Sequence, residues 1–174
     1  DSRPALLWDI VSSPNNWSRT RRKTGSKTNS PLDALRLEWW EALNNKIEER
    51  GQPLFKFKPD TSSWQGGSIG KSGFTLNTVN NSQDEWIRVE IYLDGDGAVD
   101  WYSRLEKRRQ EVEEKLGFQL NWDPMEGKKA CRISVSKSAD ISDRGNWNEQ
   151  YDWIIDRRLE FEQVFKPLVP EISK

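Results

Sequence analysis

Residues 86–93 constrain the fold of this chain most strongly, because aliphatic side chains alternate there with polar and aromatic ones. In a β-strand, successive side chains point to opposite faces of the sheet. The alternation therefore predicts a strand with one aliphatic face and one mixed face. These two sets are Ile87, Val89, Ile91 and Leu93, and Trp86, Arg88, Glu90 and Tyr92. Such a strand is typical of an antiparallel sheet that helices cover on one side only.

Three helices are predicted from start and stop signals. Ser30 is a favourable N-cap before Pro31, and apolar residues then recur every four positions up to Gly51. A second helix is expected to follow residues 94–97, capped by an aspartate, and to end near Leu116. The third begins near Asn146, which has capping-box spacing to a glutamate, and ends before two prolines. These helices would cover the aliphatic face of the sheet.

The remaining strands give the order of elements. Residues 54–58 form a short possible strand, and the glycine-rich run after residue 63 is interpreted as a turn that leads into a stronger strand at 73–79. Residues 118–122 and 130–136 alternate and predict a hairpin. The predicted fold is α+β, in the order α-β-β-β-α-β-β-α, with a mainly antiparallel sheet of four to five strands packed with three helices.

Charge divides the chain into an N-terminal arm, residues 1–30, and a single α+β domain, residues 31–174. The arm has six basic and two acidic residues, and the rest has 21 basic and 26 acidic residues. The candidate contacts to nucleic-acid phosphate are Arg19, Arg21, Arg22, Lys23, Lys27 and the more distant Lys71. The alternative for the basic tract is a solvated tether, or an arm that lies on its own acidic domain.

Composition favours binding over catalysis. The chain has ten tryptophans, no histidine and one cysteine, Cys131, so the standard zinc motifs and an intramolecular disulfide are excluded. A cytoplasmic location is expected, and no apolar run or leader sequence indicates a membrane partner. The chain begins without Met, so we expect it to be part of a longer or processed protein. Neither a cofactor nor a metal site is predicted.

Two motifs resemble ligand loops but lack essential residues. A P-loop requires a glycine five positions before Gly70, where the chain has Gln65, and a strand is predicted where the P-loop needs a helix. The turn at 94–97 resembles the start of a calcium loop. However, Ala98 and Val99 occupy the positions that require an oxygen ligand and a glycine.

The mixed face of the central strand is the candidate binding surface, because aromatic, cationic and amide groups gather on it. The hairpin is expected to extend this face with three further residues. The complete candidate set is Trp86, Arg88, Glu90, Tyr92, Asn121, Arg132 and Ser134. The alternative is an ordinary solvated sheet surface, or a face that another part of the chain covers.

The order and spacing of several segments resemble a bacterial and archaeal family, the domain of unknown function 4268, over residues 33–168. The segments include Trp40 with Leu43, GGSIGKSGFTLN, WIRVEIYLDG, WYSRLEKRRQEVEEKLGFQLNW, RISVSKSADI and NWNEQYDWIIDRRLEFEQVFKPL. Members of this family often lie C-terminal to restriction-nuclease-like or other defence-associated domains. The resemblance implies a DNA-related role but supplies no catalytic residue.

The leading functional hypothesis is a non-catalytic, nucleic-acid-associated recognition module of a prokaryotic defence or restriction-type protein. Its expected partners are DNA and other domains of the same polypeptide. One alternative is an active or degenerate PD-(D/E)xK-like nuclease, although Tyr92 stands where the lysine that follows Glu90 should be. The other alternative is a protein-protein docking module anchored by tryptophan. No catalytic residue is predicted.

Overall fold

The structure of the protein, a computed structural model, describes residues 30–52 and 55–174. Its elements in chain order are α1 (Pro31–Glu49), β1 (Trp64–Ser68), β2 (Phe74–Asn81), β3 (Trp86–Asp94), α2 (Ala98–Glu106), α3 (Arg109–Leu116), β4 (Asn121–Asp123), β5 (Ala130–Ser138), α4 (Trp147–Phe165) and α5 (Val169–Ile172). A 3₁₀ turn, Arg144–Asn146, precedes α4. The α+β class is confirmed.

The five strands form one antiparallel sheet in the order β1-β2-β3-β5-β4. β3 lies at the centre, and Ile91 has Leu76 of β2 and Ile133 of β5 as its neighbours. The strand with the strongest alternation in the sequence thus has a hydrogen-bonded partner on each side. Its aliphatic face is completely buried, as the alternation predicts.

The helices pack on this aliphatic face, and two adjacent tryptophans of α1 form part of the core. Trp39 donates from Nε1 to Oε1 of Gln150 at 3.1 Å, and Trp40 donates to the carbonyl oxygen of Ser62 at 2.9 Å. Both indoles are fully buried, so each needs a partner for its polar N–H. These tryptophans stabilise the fold and are inaccessible to a ligand.

The first strand lies later in the chain than the sequence predicts. Residues 55–58 form no strand, because the side chain of Asn44 satisfies the backbone there: its Nδ2 donates to the Phe57 carbonyl at 2.7 Å, and its Oδ1 accepts from the Phe57 N–H at 2.9 Å. The edge strand is instead the glycine-rich segment Trp64–Ser68, which the sequence indicates as a turn.

The helices differ from the predictions in one division and in their capping bonds. The predicted second helix is divided into α2 and α3 at residues 107–108. Gly97 is the N-cap of α2, with no side-chain hydrogen bond, so the predicted aspartate cap is wrong. Asn146 is the N-cap residue of α4, as its spacing predicts, but the predicted capping bond does not form, because its Nδ2 donates to Asp143 and no side chain caps α4. Packing of the apolar faces places these helices without capping side chains.

The helices in the described part of the chain are too short or too polar to cross a lipid bilayer.

Candidate recognition surface

The face of the sheet opposite the helices carries polar and aromatic side chains from all five strands. We call it the outer sheet face. Strand register places its central residues, which are Asn77, Trp86, Arg88, Glu90, Tyr92, Asn121, Asp123, Arg132 and Ser134. All seven candidate binding residues from the sequence therefore lie on one face. Their role as a binding surface stays a prediction.

Glu90 lies at the centre of this face, where strand pairing sets it between Asn77 of β2 and Ser134 of β5. Its Oε2 lies 2.7 Å from Nε of Arg88 and 2.9 Å from Nε of Arg132, and its side chain is 5 % exposed. Asn77 donates from Nδ2 to the other carboxylate oxygen at 3.3 Å. One buried carboxylate thus holds two guanidinium groups side by side.

Burial lowers the pKa of the Arg88 guanidinium, and the nearby positive charge of Arg132 acts in the same direction. The negative charge of Glu90 opposes both effects. Arg88 and Arg132 have side chains that are 17 % and 22 % exposed, so solvent screens this group of charges only partly. Glu90 is therefore the group that keeps two like charges together on the sheet.

Each arginine also stacks on an aromatic ring of the same face. The guanidinium carbon of Arg88 lies 4.6 Å from the ring centroid of Trp86, two residues earlier on β3. That of Arg132 lies 5.9 Å from the ring of Tyr92, its cross-strand neighbour. Both distances fall within the range of cation–π attraction. The rings and the carboxylate together fix the orientation of the two guanidinium groups.

The outer sheet face lies outside the hydrophobic core formed by the described residues. The core includes the aliphatic side of β3, whereas Trp86 and Tyr92 do not pack against it. Trp64 of β1 extends the outer sheet face to the edge of the sheet and is 57 % exposed. At the centre of the face Glu90 and Ser134 are buried, and Asn121 is exposed; the half-buried candidates are Trp86, Arg88, Tyr92 and Arg132.

Two residues of this arrangement escape sequence reasoning. Asn77 contacts Glu90, and Asp123 lies 3.8 Å from Nη1 of Arg132. Both face outward because of strand pairing between residues that are distant along the chain. The alternation of β2 is a signal that could have placed Asn77, whereas β4 is too short to show a pattern.

The predicted phosphate contacts do not form part of this cluster in the described residues. Lys71 lies in the turn between β1 and β2, where its Nζ donates to the carbonyl oxygen of Ser173 at 2.8 Å and lies 5.2 Å from the ring of Trp101. The basic tract from Arg19 to Lys27 lies outside the described residues.

The nuclease hypothesis requires a carboxylate that can accept a metal ion. Glu90, its candidate, directs one oxygen at two guanidinium groups. Residues 30–52 and 55–174 contain no group of three or more histidine, cysteine, aspartate or glutamate side chains arranged to hold a metal. The two guanidinium groups would repel a metal cation at this carboxylate.

A single antiparallel sheet with helices on one side and a polar, aromatic face on the other defines an α+β domain. The family described as Domain of unknown function (DUF4268) matches residues 35–169, and the chain belongs to this family. No curated protein and no solved structure matches the chain.

Proposed function

We propose that this domain is a non-catalytic recognition module that binds nucleic acid through its outer sheet face, within a prokaryotic defence or restriction-type protein. The observation that supports the proposal is the arrangement of Arg88 and Arg132, which share Glu90 and stack on Trp86 and Tyr92. Cations and aromatic rings are the two groups that proteins use to bind phosphates and unpaired bases.

The guanidinium groups are already oriented for a ligand. Arg88 contacts Glu90 through Nε, and no described residue accepts a hydrogen bond from its two Nη atoms. Those atoms are able to donate to a phosphate or to the edge of a base. Because Glu90 and the Trp86 ring hold the side chain, a ligand would lose little of its binding free energy to ordering it.

The aromatic groups favour single-stranded nucleic acid as the ligand. Stacking of a base on an aromatic side chain contributes about 1–3 kcal/mol, but only an unpaired base offers its ring to Trp86 or Tyr92. Trp64 supplies a further exposed ring at the edge of the same face. The domain therefore offers aromatic rings on either side of two adjacent cations.

The charge of the chain divides this binding between two regions. Residues 31–174 carry more acidic than basic groups, so the folded domain alone does not attract polyanions over a long range. The basic tract in residues 1–30 would supply that attraction, while the outer sheet face would contact the bases. With long-range attraction assigned to the basic tract, a domain with an excess of acidic groups would still be able to bind nucleic acid.

Fluorescence anisotropy with labelled single-stranded oligonucleotides tests the proposal. Arg132→Gln should weaken binding at least about fivefold, because one charged contact contributes about 1–3 kcal/mol. Lys129→Gln is the matched control, since Lys129 is highly exposed in the adjoining turn and pairs only with Asp96 among the described residues. It should change affinity less than about twofold.

The same series separates the competing functions. Equal affinity for Arg132→Gln and Lys129→Gln, with both variants folded as judged by circular dichroism, would refute the role of the outer sheet face. Mg²⁺-dependent cleavage of a plasmid by pure protein, lost in Glu90→Gln, would support the nuclease instead. Absence of binding to any oligonucleotide would favour the protein-docking alternative.

A further inference from the structure

A second candidate site lies on the helix side of the sheet, beside the edge strand β1. It is a groove of about 610 Å³ between β1, residues 55–58 and the C-terminal half of α4. Arg158 of α4 lies in its wall, and the segment that carries Phe55 and Phe57 forms the opposite side. The two arginines of the outer sheet face do not line this groove, and the two features meet only at the edge strand, where Trp64 and Gly66 also line the groove.

Arg158 is a buried cation whose described partners are neutral. It is 4 % exposed, and its Nη1 donates to the carbonyl oxygen of Leu76 at 3.2 Å and to Oγ1 of Thr78 at 3.0 Å. Its Nε is buried and has no hydrogen-bond partner. Nε of Arg88, Arg132 and Arg157 also lacks a hydrogen-bond partner, but a carboxylate oxygen lies within 2.9 Å of each, whereas Arg158 forms no ion pair with a described residue. A buried cation without a counter-ion calls for an explanation.

Two aromatic rings enclose the guanidinium group. Its carbon lies 4.4 Å from the ring centroid of Phe55 and 4.9 Å from that of Phe57. The nearest acidic residue along the helix, Glu162, pairs instead with Lys166 at 3.2 Å. Burial lowers the pKa of Arg158 to about 9, which still leaves the group positively charged at neutral pH. The rings offset only part of the cost of burying this charge.

The lining of the groove is mixed in charge: Lys56, Lys58 and Arg158 line it together with the carboxylates of Asp60 and Glu162. Lys58 and Lys56 both line it and are exposed. Lys56 pairs with Glu48 at 2.5 Å, whereas Lys58 forms no ion pair with a described residue. Lys58 is therefore a cation of the groove without a described counter-ion, and Arg158 is a second one.

Gly67 keeps the groove accessible. It faces the helix side of the sheet, opposite Leu76, and a Cβ atom added to it would meet no atom within 4 Å. The neighbouring Gly66 faces the outer side, where a Cβ would lie 2.0 Å from Oδ1 of Asn77. Gly66 is thus required by close packing, whereas at Gly67 the missing side chain leaves space in the groove.

We propose that this groove binds a small ligand that carries a phosphate or a carboxylate, with the oxyanion directed to Arg158 and Lys58. An oxyanion matches the planar donors of a guanidinium group and would give Arg158 a hydrogen-bonded anion, which none of its described partners supplies. The volume suits a molecule of about the size of a mononucleotide. This proposal does not depend on nucleic-acid binding at the outer sheet face.

Isothermal titration calorimetry and thermal unfolding of the whole chain test this site. The probes are pyrophosphate, adenosine monophosphate and succinate, each compared with NaCl at the same ionic strength. We expect at least one probe to bind and to raise Tm, because a ligand that binds only the folded state stabilises it. Binding of the phosphate probes alone identifies a phosphate ligand, and binding of succinate alone identifies a carboxylate ligand.

Gly67→Leu is the decisive variant, because it fills the groove without removing a buried charge. It should weaken binding at least about tenfold, and Lys58→Gln should weaken it about threefold. Gln119→Leu adds the same side chain near the opposite edge of the sheet and should leave the affinity unchanged. The proposal is overturned if no probe binds, or if Gly67→Leu binds as tightly as the wild-type protein.

Discussion

At the scale of single residues, Glu90 stabilises the close approach of Arg88 and Arg132 on the outer sheet face. Two guanidinium groups meet its one buried carboxylate oxygen, and each would repel the other without it. Sheet surfaces that face solvent have no need of such a buried charge. The cost of burying Glu90 is therefore best explained by the orientation that it gives to Arg88 and Arg132.

Without the Glu90 carboxylate, the repulsion between Arg88 and Arg132 should destabilise the protein. We expect Glu90→Gln to reduce the free energy of unfolding by about 1–3 kcal/mol, because it leaves two partly buried cations without their counter-ion. Urea denaturation measures this difference. Glu126→Gln, in the exposed turn between β4 and β5, should change stability by less than about 0.5 kcal/mol. Equal effects of the two variants would show that Glu90 is not required.

At the scale of elements, two adjacent glycines give β1 its two different sides. Gly66 allows the side chain of Asn77 to lie against the backbone of the edge strand, and Gly67 leaves room beneath the sheet. The strand therefore depends on small residues, although glycine is a poor strand former. Position 66 therefore tolerates only glycine, because Asn77 packs against it, whereas position 67 has space for a side chain.

Alanine substitution should separate these demands. Gly66→Ala would force Cβ into Asn77 Oδ1 and the Leu76 carbonyl oxygen, and we expect it to destabilise the protein by about 1–3 kcal/mol. A Cβ atom at Gly67 meets no neighbour, and alanine has fewer unfolded conformations than glycine. We therefore expect Gly67→Ala to be at least as stable as wild type, by up to about 1 kcal/mol. Thermal unfolding compares the two variants. The reverse order of stability would contradict the packing described for β1.

The sequence predicts the parts of the fold that depend on local pattern. The alternation of residues 86–93 gives β3 and its two faces, and the apolar spacing after Ser30 gives α1. β1 escapes prediction because its glycines form a strand only when β2 pairs with them. The same limit applies to the site: alternation places Glu90 on the outer face beside Arg88, but only strand register brings Arg132 to the same carboxylate.

At the scale of the whole molecule, opposite charges are carried by different parts of the chain. Residues 1–30 have an excess of basic groups, and residues 31–174 have an excess of acidic groups. Long-range attraction to a polyanion would therefore come from the tract around Arg21, and base contacts from the folded domain. Salt should weaken the first contribution much more than the second.

Neutralising the basic tract tests this division of roles. Replacement of Arg19, Arg21, Arg22, Lys23 and Lys27 by glutamine should flatten the dependence of log affinity on log salt concentration by up to about 3–4, at about 0.7 per phosphate contact on single strands. Fluorescence anisotropy between 50 and 200 mM salt, roughly the range over which such contacts weaken, measures the slope. An unchanged slope would assign the phosphate contacts to another part of the protein.

The central claim is that bases stack on the outer sheet face, and photochemical crosslinking tests it most directly. A single-stranded oligonucleotide that contains 5-bromouracil is irradiated with the full chain, and mass spectrometry locates the crosslinked residues. Our account predicts crosslinks at Trp86 or Tyr92 that a competing unlabelled strand removes. Crosslinks confined to residues 1–30 or to the helices, with none on the outer sheet face, would contradict it.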